Sequence, residues 1–470
     1  MRLDKYLAEL NIGTRSQVKE LIRKKLVTVN GKLVTAPEFQ LNETSDEVML
    51  QGKKLQFSQF EYYMLNKPAG VVSATRDALS ETVLSLLPKD HKKDLFPVGR
   101  LDKDTEGLLL ITNDGALAHQ LLSPKKHVAK TYLVKIREPL SDESVQALER
   151  GVDIGDDALT APAFVSRIYD PDKEGNWIHL TISEGRFHQV KRMLEAVSNE
   201  VLSLKRIRFG ALSLDRLLES GECRALTEEE VALLRRSREI ASEKKALLEG
   251  KRAVIFDLDG SLVDSMWLWG EIDEEYLGMH GIELRDREEL RRKIEGMSFH
   301  ETAVFFREYY HLKDSVEKMK DDWNQMAWDK YEKEVPLKPG VIDFLEGCKR
   351  AGLALGIATS NSRELVENVL SVHHLKEQFG SIVTGSEVLK GKPAPDVYLA
   401  VAGALGVDPA QCLVFEDILP GLMAGRNAGM TICAVADPDS MASWEEKKDY
   451  ADYALYDFYD FFAWQERSFQ

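Results

Sequence analysis

The sequence predicts a multidomain protein in which a mixed α+β N-terminal half is followed by a parallel-sheet α/β C-terminal half. The chain has 470 residues, which is too long for one hydrophobic core and corresponds to about three domains of ordinary size. Its charge is divided: residues 1–250 carry 38 basic and 38 acidic side chains, so the net charge of -16 arises entirely from residues 251–470. From residue 253 onward strand and helix signals alternate, which is typical of a parallel sheet covered by helices.

Composition limits the class of protein. Hydrophobic residues make up 44% of the chain and charged residues 30%, as in ordinary globular proteins. No apolar run approaches the ~20 residues of a membrane span, and the N-terminus lacks the apolar core of a signal peptide. The four cysteines lie far apart without a CxxC pair, which argues against zinc and against a disulfide framework. We therefore expect a cytoplasmic monomer that has no membrane partner.

Residues 1–50 form the first predicted domain. A capping-box pair, Thr14 and Gln17, begins a helix, and the alternating strand Val27–Val29 runs into Asn30-Gly31, a strong hairpin signal. Residues 1–33 carry eight basic and three acidic side chains, against the overall sign of the chain. A solvated surface is the plainer interpretation of such a helix, but the opposed charge favours contact with nucleic-acid phosphates. The RNA-binding candidates are Arg15, Lys19, Arg23 and Lys24.

Residues 60–235 predict a mixed α+β domain. The expected strands are Tyr62–Asn66, Leu108–Thr112, Thr131–Ile136, Trp177–Ile182 and Glu200–Phe209, and the expected helices are Ser141–Arg150 and His188–Ala196. Three acids, Asp102, Asp104 and Glu106, lie in a loop directly before the second of these strands. A loop that leads into a rigid strand can hold a catalytic carboxylate in place.

Four ordered motifs give this region a family resemblance. They are Leu65-Asn66-Lys67-Pro68, Gly99-Arg100-Leu101-Asp102, Lys130-Thr131-Tyr132 and Glu184–Met193. Together they resemble the RsuA-type pseudouridine synthases, and residues 1–50 resemble the S4 RNA-binding domain. The resemblance implies isomerisation of a uridine in small-subunit (16S) ribosomal RNA, with ribosomal RNA as the partner and without a metal or cofactor.

The resemblance also implies roles for individual residues. Asp102 would be the catalytic carboxylate, and Tyr132 would stack on the flipped base and help to remove a proton. Lys191, with Arg192 as the alternative, would pair with Asp102 and lower its pKa. Further substrate contacts are expected from Lys67, which would hold the RNA backbone, and from Arg100 and Arg186.

A charged segment connects the two halves. Thr227 and Glu230 form a second capping-box signature, which predicts the start of a helix that continues to about Glu249 and ends at Gly250. We expect residues 236–250 to be a linker helix that docks partly on the preceding domain.

Residues 251–470 place polar side chains where predicted parallel strands end. Strand Ala253–Phe256 leads directly into Asp257 and Asp259, which are two residues apart and therefore face the same side of an extended backbone. Other strand-end or loop candidates are Thr359, Ser360, Lys392, Glu416 and Asp417. The carboxyl ends of parallel strands meet at one edge of the sheet, so these side chains are expected to form a single site.

This set resembles the haloacid dehalogenase-like phosphohydrolases, which implies a Rossmann-like domain with a helical cap inserted at about residues 266–336. Asp257 would be the nucleophile and Asp259 the acid/base, while Thr359, Ser360 and Lys392 would bind the phosphoryl group of a small phosphorylated metabolite. The implied Mg²⁺ ligands are Asp257, Asp259 through its backbone carbonyl, Asp417 and, second to it, Glu416.

Several tryptophans lie in the expected cap. Trp267, Trp269, Trp323 and Trp328 are predicted to form cap core rather than ligand contacts. Related phosphomutases carry a histidine near the position of Trp269, and its absence favours hydrolysis.

The leading hypothesis is a bifunctional fusion of an RNA pseudouridine synthase and a Mg²⁺-dependent phosphatase. One alternative is a catalytically silent hydrolase domain that braces a single-function synthase, and another is a sugar phosphomutase in place of the phosphatase. The fusion also suggests pseudouridine monophosphate, released by RNA turnover, as a substrate of the second half.

Overall fold

The computed structural model describes residues 1–10, 12–42, 46–55, 60–89, 91, 94–123, 126–168, 175–294, 297–459 and 461–462. The chain forms two compact units, of which one contains residues 1–122 and 214–231 and the other residues 123–213 and 232–470. Among the described residues, no helix has the length and apolar character that crossing a bilayer would require.

The N-terminal part of the first unit packs two helices on a small antiparallel sheet. The elements are α1 (Leu3–Glu9), α2 (Arg15–Arg23), β1 (Val27–Val29), β2 (Lys32–Leu33), β3 (Val48–Leu50) and β4 (Lys53–Leu55), with strand order β2-β1-β3-β4. The Thr14 side chain accepts a hydrogen bond from the Gln17 amide, and the Gln17 side chain accepts one from the Thr14 amide, which confirms the predicted capping box. Val18 and Ile22 of α2 face the core, so the basic residues of this helix lie on its other sides.

The rest of the first unit begins with antiparallel strands that are distant along the chain. Its elements are β5 (Tyr62–Lys67), β6 (Phe96–Pro97), β7 (Glu106–Thr112) and α3 (Gly115–Leu122). β5 and β6 both pair antiparallel with β7. The apolar run of β7 is buried, as the sequence predicts.

The second unit begins with an antiparallel sheet and two helices. Its elements are β8 (Lys130–Ile136), α4 (Asp142–Arg150), β9 (Phe164–Ile168), β10 (Asn176–Ile182), α5 (Gln189–Ala196), β11 (Val201–Phe209) and β12 (Leu212–Ser213). The strand order is β11-β8-β10-β9, and β12 pairs with β11. Register shifts in β11 between Val201 and Ser203 and between Arg206 and Arg208 mark bulges in that strand.

The connection between the halves differs from the prediction of one helix. β13 (Cys223–Ala225) pairs with β5, and two helices follow, α6 (Glu228–Arg235) and α7 (Ser237–Leu247). The predicted capping box is confirmed, because Thr227 and Glu230 exchange hydrogen bonds of 3.1 and 2.8 Å. The break falls at Arg236, where the backbone leaves the helical region, and the Ser237 hydroxyl then accepts the Ala211 amide at 3.0 Å. Tertiary contact with the preceding strand therefore interrupts a segment whose sequence reads as one helix.

Residues 253–455 alternate strands and helices, as predicted. The elements are β14 (Ala253–Phe256), α8 (Met266–Met279), α9 (Arg287–Ile294), α10 (Phe299–Tyr309), α11 (Val316–Lys333), α12 (Val341–Arg350), β15 (Ala354–Thr359), α13 (Arg363–Val372), β16 (Ser381–Thr384), α14 (Asp396–Leu405), β17 (Cys412–Glu416), α15 (Leu419–Asn427), β18 (Thr431–Val435), α16 (Trp444–Tyr450) and β19 (Tyr453–Leu455). Six parallel strands have the order β16-β15-β14-β17-β18-β19. Helices α8 to α11 are the inserted cap, and β14 lies centrally, so Asp257 emerges at the middle of the sheet edge.

Candidate active sites

Two residues of the first unit, Lys67 and Ser73, hold the loop that carries Asp102. The buried Lys67 ammonium donates hydrogen bonds to the carbonyls of Pro68, Lys103 and Thr105 at 3.0, 3.3 and 2.8 Å. The Ser73 hydroxyl donates to the Leu101 carbonyl at 2.9 Å and accepts from the Leu101 amide at 3.1 Å. These bonds fix the backbone on both sides of Asp102, whose side chain is half-buried.

The predicted contact of Lys67 with the RNA backbone is wrong. Lys67 has no exposed surface, and its donors are directed to main-chain carbonyls, so its role is to clamp the loop. Burial lowers the pKa of Lys67 to about 8, against the effect of Asp104, Glu106 and Asp102. Arg100, by contrast, is exposed beside Asp102 and remains a candidate for substrate contact.

In the second unit, Tyr132 is paired with a residue that the sequence analysis did not select. Tyr132 is largely buried on β8 and lies opposite Arg206 of β11. The Arg206 guanidinium hydrogen-bonds the Tyr132 side chain; burial lowers the pKa of Arg206, and Tyr132 opposes that shift. The alternation of this strand could have pointed to Arg206. Leu204, Arg206 and Arg208 occupy alternate positions of β11, and all three are buried. A buried arginine needs a partner.

The two basic residues proposed to pair with Asp102 differ in their surroundings. Arg192 donates to the Ile154 and Phe187 carbonyls, both at 3.0 Å, and to Asp156 at 2.5 Å. Its guanidinium therefore holds the loop that contains residues 154–156. Lys191 is half-buried on α5, and its pairing with Asp102 of the other compact unit stays a prediction.

Arg186 likewise has a structural role in place of the predicted substrate contact. It donates to the Ala158 and Leu159 carbonyls at 2.7 Å each and to Glu184 at 3.2 Å. These acceptors use the hydrogen-bond donors of the guanidinium, so Arg186 holds the loop of residues 156–159 against the turn before α5. The neighbouring Phe187 is 75% exposed and stacks on His188, with ring centroids 3.8 Å apart.

The basic residues of α2 remain accessible. Arg15, Arg23 and Lys24 are exposed, and Lys19 is partly exposed with its ammonium 3.9 Å from Asp4. Lys24 pairs with Glu20 at 2.7 Å, an exposed pair that solvent and salt weaken. This side of α2 can meet a polyanion, and its contact with RNA stays a prediction.

A second candidate site is assembled at the carboxyl ends of β14 and β17. The Lys392 ammonium donates to Asp257 at 2.6 Å and to Glu416 at 2.5 Å, and Tyr398 donates to Glu416 at 2.7 Å. Burial raises the pKa of Asp257 to about 8; Lys392 opposes this shift, and Glu416 and Asp259 add to it. Burial alone would lower the pKa of Lys392, but the carboxylates of Asp257 and Glu416 raise it above its usual value. Lys392 is therefore a fixed positive charge beside the expected nucleophile.

Asp259 is held by donors from both the sheet domain and the cap. The Ser265 hydroxyl donates to it at 2.6 Å and the Asn361 amide at 3.0 Å. From the cap, the hydroxyl of Tyr331 donates to the same carboxyl, and Trp269 adds a hydrogen bond. Burial raises the pKa of Asp259, and these hydrogen bonds oppose that shift. Asp259 is thus fixed in one position by the closed cap.

The carboxylates present fit a divalent cation. Ligand oxygens of Asp257, Glu416 and Asp417 lie within 4.8 Å of one another. One buried oxygen of Asp417 has no hydrogen-bond partner, and a side chain at Gly260 would collide with it at 2.2 Å, so the space beside it is kept small and polar. Both Glu416 oxygens accept hydrogen bonds from Lys392, Tyr398 or main-chain amides. Asp417 is therefore the stronger ligand candidate, together with Asp257.

A cavity of about 560 Å³ lies over these residues and extends into the cap. Thr359 and Ser360 line the cavity near Asp257 and Asp259, and the Thr359 hydroxyl accepts a hydrogen bond from the Asn361 main-chain amide at 3.1 Å. Trp267, Trp269 and Trp323 also line the cavity, whereas Trp328 lies outside its lining and is 40% exposed. Trp323 belongs to the buried hydrophobic core and Trp267 and Trp269 pack against it, as predicted, whereas the prediction of a core position is wrong for Trp328.

Comparisons with known proteins match three successive parts of the chain to three families. The S4 domain matches residues 1–48, RNA pseudouridylate synthase residues 61–196, and haloacid dehalogenase-like hydrolase residues 254–435. An uncharacterized RNA pseudouridine synthase of Bacillus subtilis is 48% identical over 235 residues, which is 50% of this chain and 98% of that protein. The ribosomal small subunit pseudouridine synthase A of Vibrio cholerae is 42% identical, covering 49% of this chain and 98% of its own. The ribosomal large subunit pseudouridine synthase B of Bacillus subtilis is 41% identical, covering 50% and 95%.

Proposed function

Because the chain belongs to the RNA pseudouridine synthase family and also carries a haloacid dehalogenase-like hydrolase domain, we propose that it is a bifunctional enzyme. One activity isomerises a uridine of small-subunit ribosomal RNA to pseudouridine. The other hydrolyses the phosphate ester of a small metabolite with Mg²⁺. The proposed domains are residues 1–50 for RNA binding, 60–235 for the synthase, 236–250 for the linker and 251–470 for the hydrolase. A cytoplasmic monomer is the proposed state.

In the synthase, the rigid loop around Asp102 carries the proposal. Breaking the N-glycosidic bond of uridine and rejoining the base through carbon requires a positioned carboxylate, as nucleophile or as stabiliser of developing positive charge. Asp102 would act at the flipped nucleotide, with Tyr132 against the base and Lys191 as the cationic partner. Arg206 would orient Tyr132 through their hydrogen bond. Basic residues of α2 would hold the RNA backbone.

Large-subunit ribosomal RNA is the second candidate substrate. A relative named for the small subunit and one named for the large subunit are nearly equally similar to this chain, at 42% and 41% identity. Mapping pseudouridines in both ribosomal RNAs, with and without the gene for this chain, separates the two candidates. A site lost from small-subunit RNA supports the proposal, and a site lost only from large-subunit RNA replaces it.

The catalytic assignment is tested with Asp102→Asn. We expect pseudouridine formation on ribosomal RNA to fall by at least about a thousandfold, because the reacting carboxylate is removed. Asp104→Asn is the matched control, since this exposed acid lies two residues away in the same loop. Equal activity in Asp102→Asn and Asp104→Asn would reject Asp102.

In the hydrolase, the ion pair between Lys392 and Asp257 beside the orphaned Asp417 oxygen carries the proposal. An Asp257 oxygen would attack phosphorus while Asp259 gives its proton to the leaving alkoxide, which forms an aspartyl phosphate and releases the alcohol. Asp259 would then take a proton from water, whose oxygen attacks phosphorus, and phosphate and the free Asp257 carboxylate result. Lys392, Thr359 and Ser360 would bind the phosphoryl oxygens. Mg²⁺ held by Asp257, Asp417 and the Asp259 carbonyl would offset the negative charges.

Hydrolysis of acetyl phosphate and p-nitrophenyl phosphate tests this activity. We expect turnover with Mg²⁺, loss on chelation, and at least about a thousandfold loss in Asp257→Asn. Asp102→Asn serves as the reciprocal control, because it alters only the synthase. An inactive wild-type protein would support the silent-domain alternative, and transfer of phosphate between sugar hydroxyls would support a phosphomutase.

A further inference from the structure

The cap side of the hydrolase cavity is mostly apolar, and its polar lining residues are Glu271, Asp273, Arg287 and Thr302. Trp267 and Trp269 of α8, Leu290 and Ile294 of α9 and Phe299 of α10 line it. The phosphoryl group of a substrate would lie in the same cavity, beside Asp257. The rest of the substrate must therefore contact this aromatic and aliphatic wall.

The size and lining of the cavity restrict the substrate class. A volume of about 560 Å³ lies within the range of small-molecule sites, roughly 300–1,000 Å³, and exceeds what a phosphate ester of two or three carbons would fill. A polyhydroxylated sugar would leave the hydroxyls that face the tryptophan and aliphatic side chains without hydrogen-bond partners, which costs free energy. A planar ring, by contrast, gains from stacking on tryptophan and phenylalanine.

One carboxyl on this wall is available to a ligand. Two other charged residues of the lining are already paired, Glu271 with Lys330 at 2.6 Å and Arg287 with Glu274. Among the described residues, Asp273 has no hydrogen-bond or ion-pair partner, and burial alone raises its pKa to about 7. At neutral pH this carboxyl can both donate and accept a hydrogen bond, which matches the adjacent N–H and C=O groups on the edge of a nucleobase.

We infer that the hydrolase site takes a nucleoside 5′-monophosphate, whose base stacks on the cap aromatics and directs its polar edge to Asp273. This inference rests on the proposed phosphatase activity and specifies its substrate class. The ribose fills the space between the phosphoryl site and the aromatic wall. Asp273 is the specificity-determining residue in this assignment.

The kinetic test compares esters that differ only in the base. We expect kcat/KM for the best of the uridine, pseudouridine, cytidine, adenosine and guanosine 5′-monophosphates to exceed that for ribose 5-phosphate at least about tenfold, since base stacking is lost in the latter. Pyridoxal 5′-phosphate, a planar ester without ribose, is expected to be turned over more slowly than that nucleotide. Equal kcat/KM for nucleotide and ribose 5-phosphate, or a preference for pyridoxal 5′-phosphate, overturns the inference.

The role of Asp273 is read from a ratio. In Asp273→Leu, the ratio of kcat/KM for the nucleotide to that for ribose 5-phosphate should fall about tenfold, because the base edge loses its hydrogen-bonding partner. Glu275→Gln, on the same helix but exposed and outside the cavity, should keep the wild-type ratio. An unchanged ratio in Asp273→Leu rejects its role.

Binding measurements test the proposed substrate class separately from the proposed phosphatase activity. Calorimetric titration of Asp257→Asn with uridine 5′-monophosphate and with ribose 5-phosphate, both with Mg²⁺, measures base recognition without turnover. Tighter binding of the nucleotide, by about tenfold, supports the inference, and equal binding rejects it. Failure of the wild-type protein to hydrolyse acetyl phosphate rejects the phosphatase instead, so the two failures are distinguishable.

Discussion

At the scale of single residues, Lys67 shows how a buried charge can stabilise a catalytic loop. Its ammonium satisfies three main-chain carbonyls around Asp102, and leaving such acceptors unpaired costs about 1–3 kcal/mol. We therefore predict that Lys67→Met increases hydrogen exchange at the amides of residues 99–107 about tenfold or more and lowers the rate of pseudouridine formation. Exchange measured by mass spectrometry, with an RNA modification assay, checks both effects.

Lys103 offers the matched control for this loop. Its side chain is exposed and donates a hydrogen bond to the Ser80 hydroxyl at 3.2 Å. Lys103→Met removes a lysine from the same loop without uncovering buried carbonyls, so we expect near wild-type exchange there. Similar exchange in the two variants would contradict the role of Lys67 as a clamp.

Asp273 makes a pH-dependent contribution to stability. Burial raises its pKa from 3.8 to about 7, so between these values the folded protein binds more protons at this site than the unfolded chain does. This contribution is fully present below about pH 4 and is lost as the pH rises through about 7. We predict that the cap of Asp273→Asn loses less stability than wild type between pH 5 and pH 7.5 in thermal unfolding scans. Parallel pH profiles of the two proteins would show that Asp273 titrates normally.

At the scale of elements, the sequence predicted strands better than contacts. Strand Ala253–Phe256 has the bounds that its apolar run predicted, because a buried parallel strand is a short continuous hydrophobic segment. Contacts between residues that are distant along the chain leave no comparable pattern in the sequence. The bond between Tyr331 and Asp259 joins residues 72 positions apart, and the break at Arg236 depends on a contact between Ser237 and Ala211. Lys67 was misassigned for the same reason, since its burial depends on the fold of the loop that it clamps.

Helix α11 connects the cap to Asp259, the proposed acid/base residue of the hydrolase. The Tyr331 hydroxyl donates to Asp259 and accepts from the Asn361 amide at 3.1 Å. We predict that Tyr331→Phe lowers kcat for acetyl phosphate about ten- to a hundredfold, because Asp259 is no longer held in position for proton transfer. KM should change less than kcat, because the phosphoryl-binding residues Lys392 and Thr359 remain in place. Steady-state kinetics at saturating Mg²⁺ measures both constants.

Tyr276 provides a control for Tyr331 in the same cap. Its buried hydroxyl donates to Asp314 at 3.0 Å, away from the cavity lining. Tyr276→Phe also deletes one buried phenol hydrogen bond, so its cost in cap stability should be comparable while kcat stays near wild type. Equal losses of kcat in both variants would indicate a general weakening of the cap.

At the scale of the whole molecule, a buried charge cluster joins the hydrolase to the antiparallel sheet of the second unit. Asp457, which follows β19, accepts hydrogen bonds from Lys244 of α7 at 2.7 Å and from Arg208 of β11 at 3.4 Å. Although burial opposes it, Arg208 and Lys244 keep the pKa of Asp457 below its usual value. All three side chains are nearly inaccessible to solvent. Arg208 lies two residues from Arg206, the partner of Tyr132, so the hydrolase supports a strand that serves the synthase.

Removal of the Asp457 charge should therefore weaken both halves together. In Asp457→Asn the two buried cations lose their counterion, and breaking a buried pair in this way costs about 3–5 kcal/mol. We predict a lower unfolding temperature in calorimetry and reduced pseudouridine formation, although the substitution lies in the hydrolase. Glu200→Gln is the control, since it breaks an exposed ion pair with Arg137 in the same sheet. Such exposed pairs contribute only about 0–1 kcal/mol to the free energy of unfolding. If Asp457→Asn left synthase activity at the wild-type level and shifted only the melting of the hydrolase, the two activities would be joined by the chain alone and not by this interface.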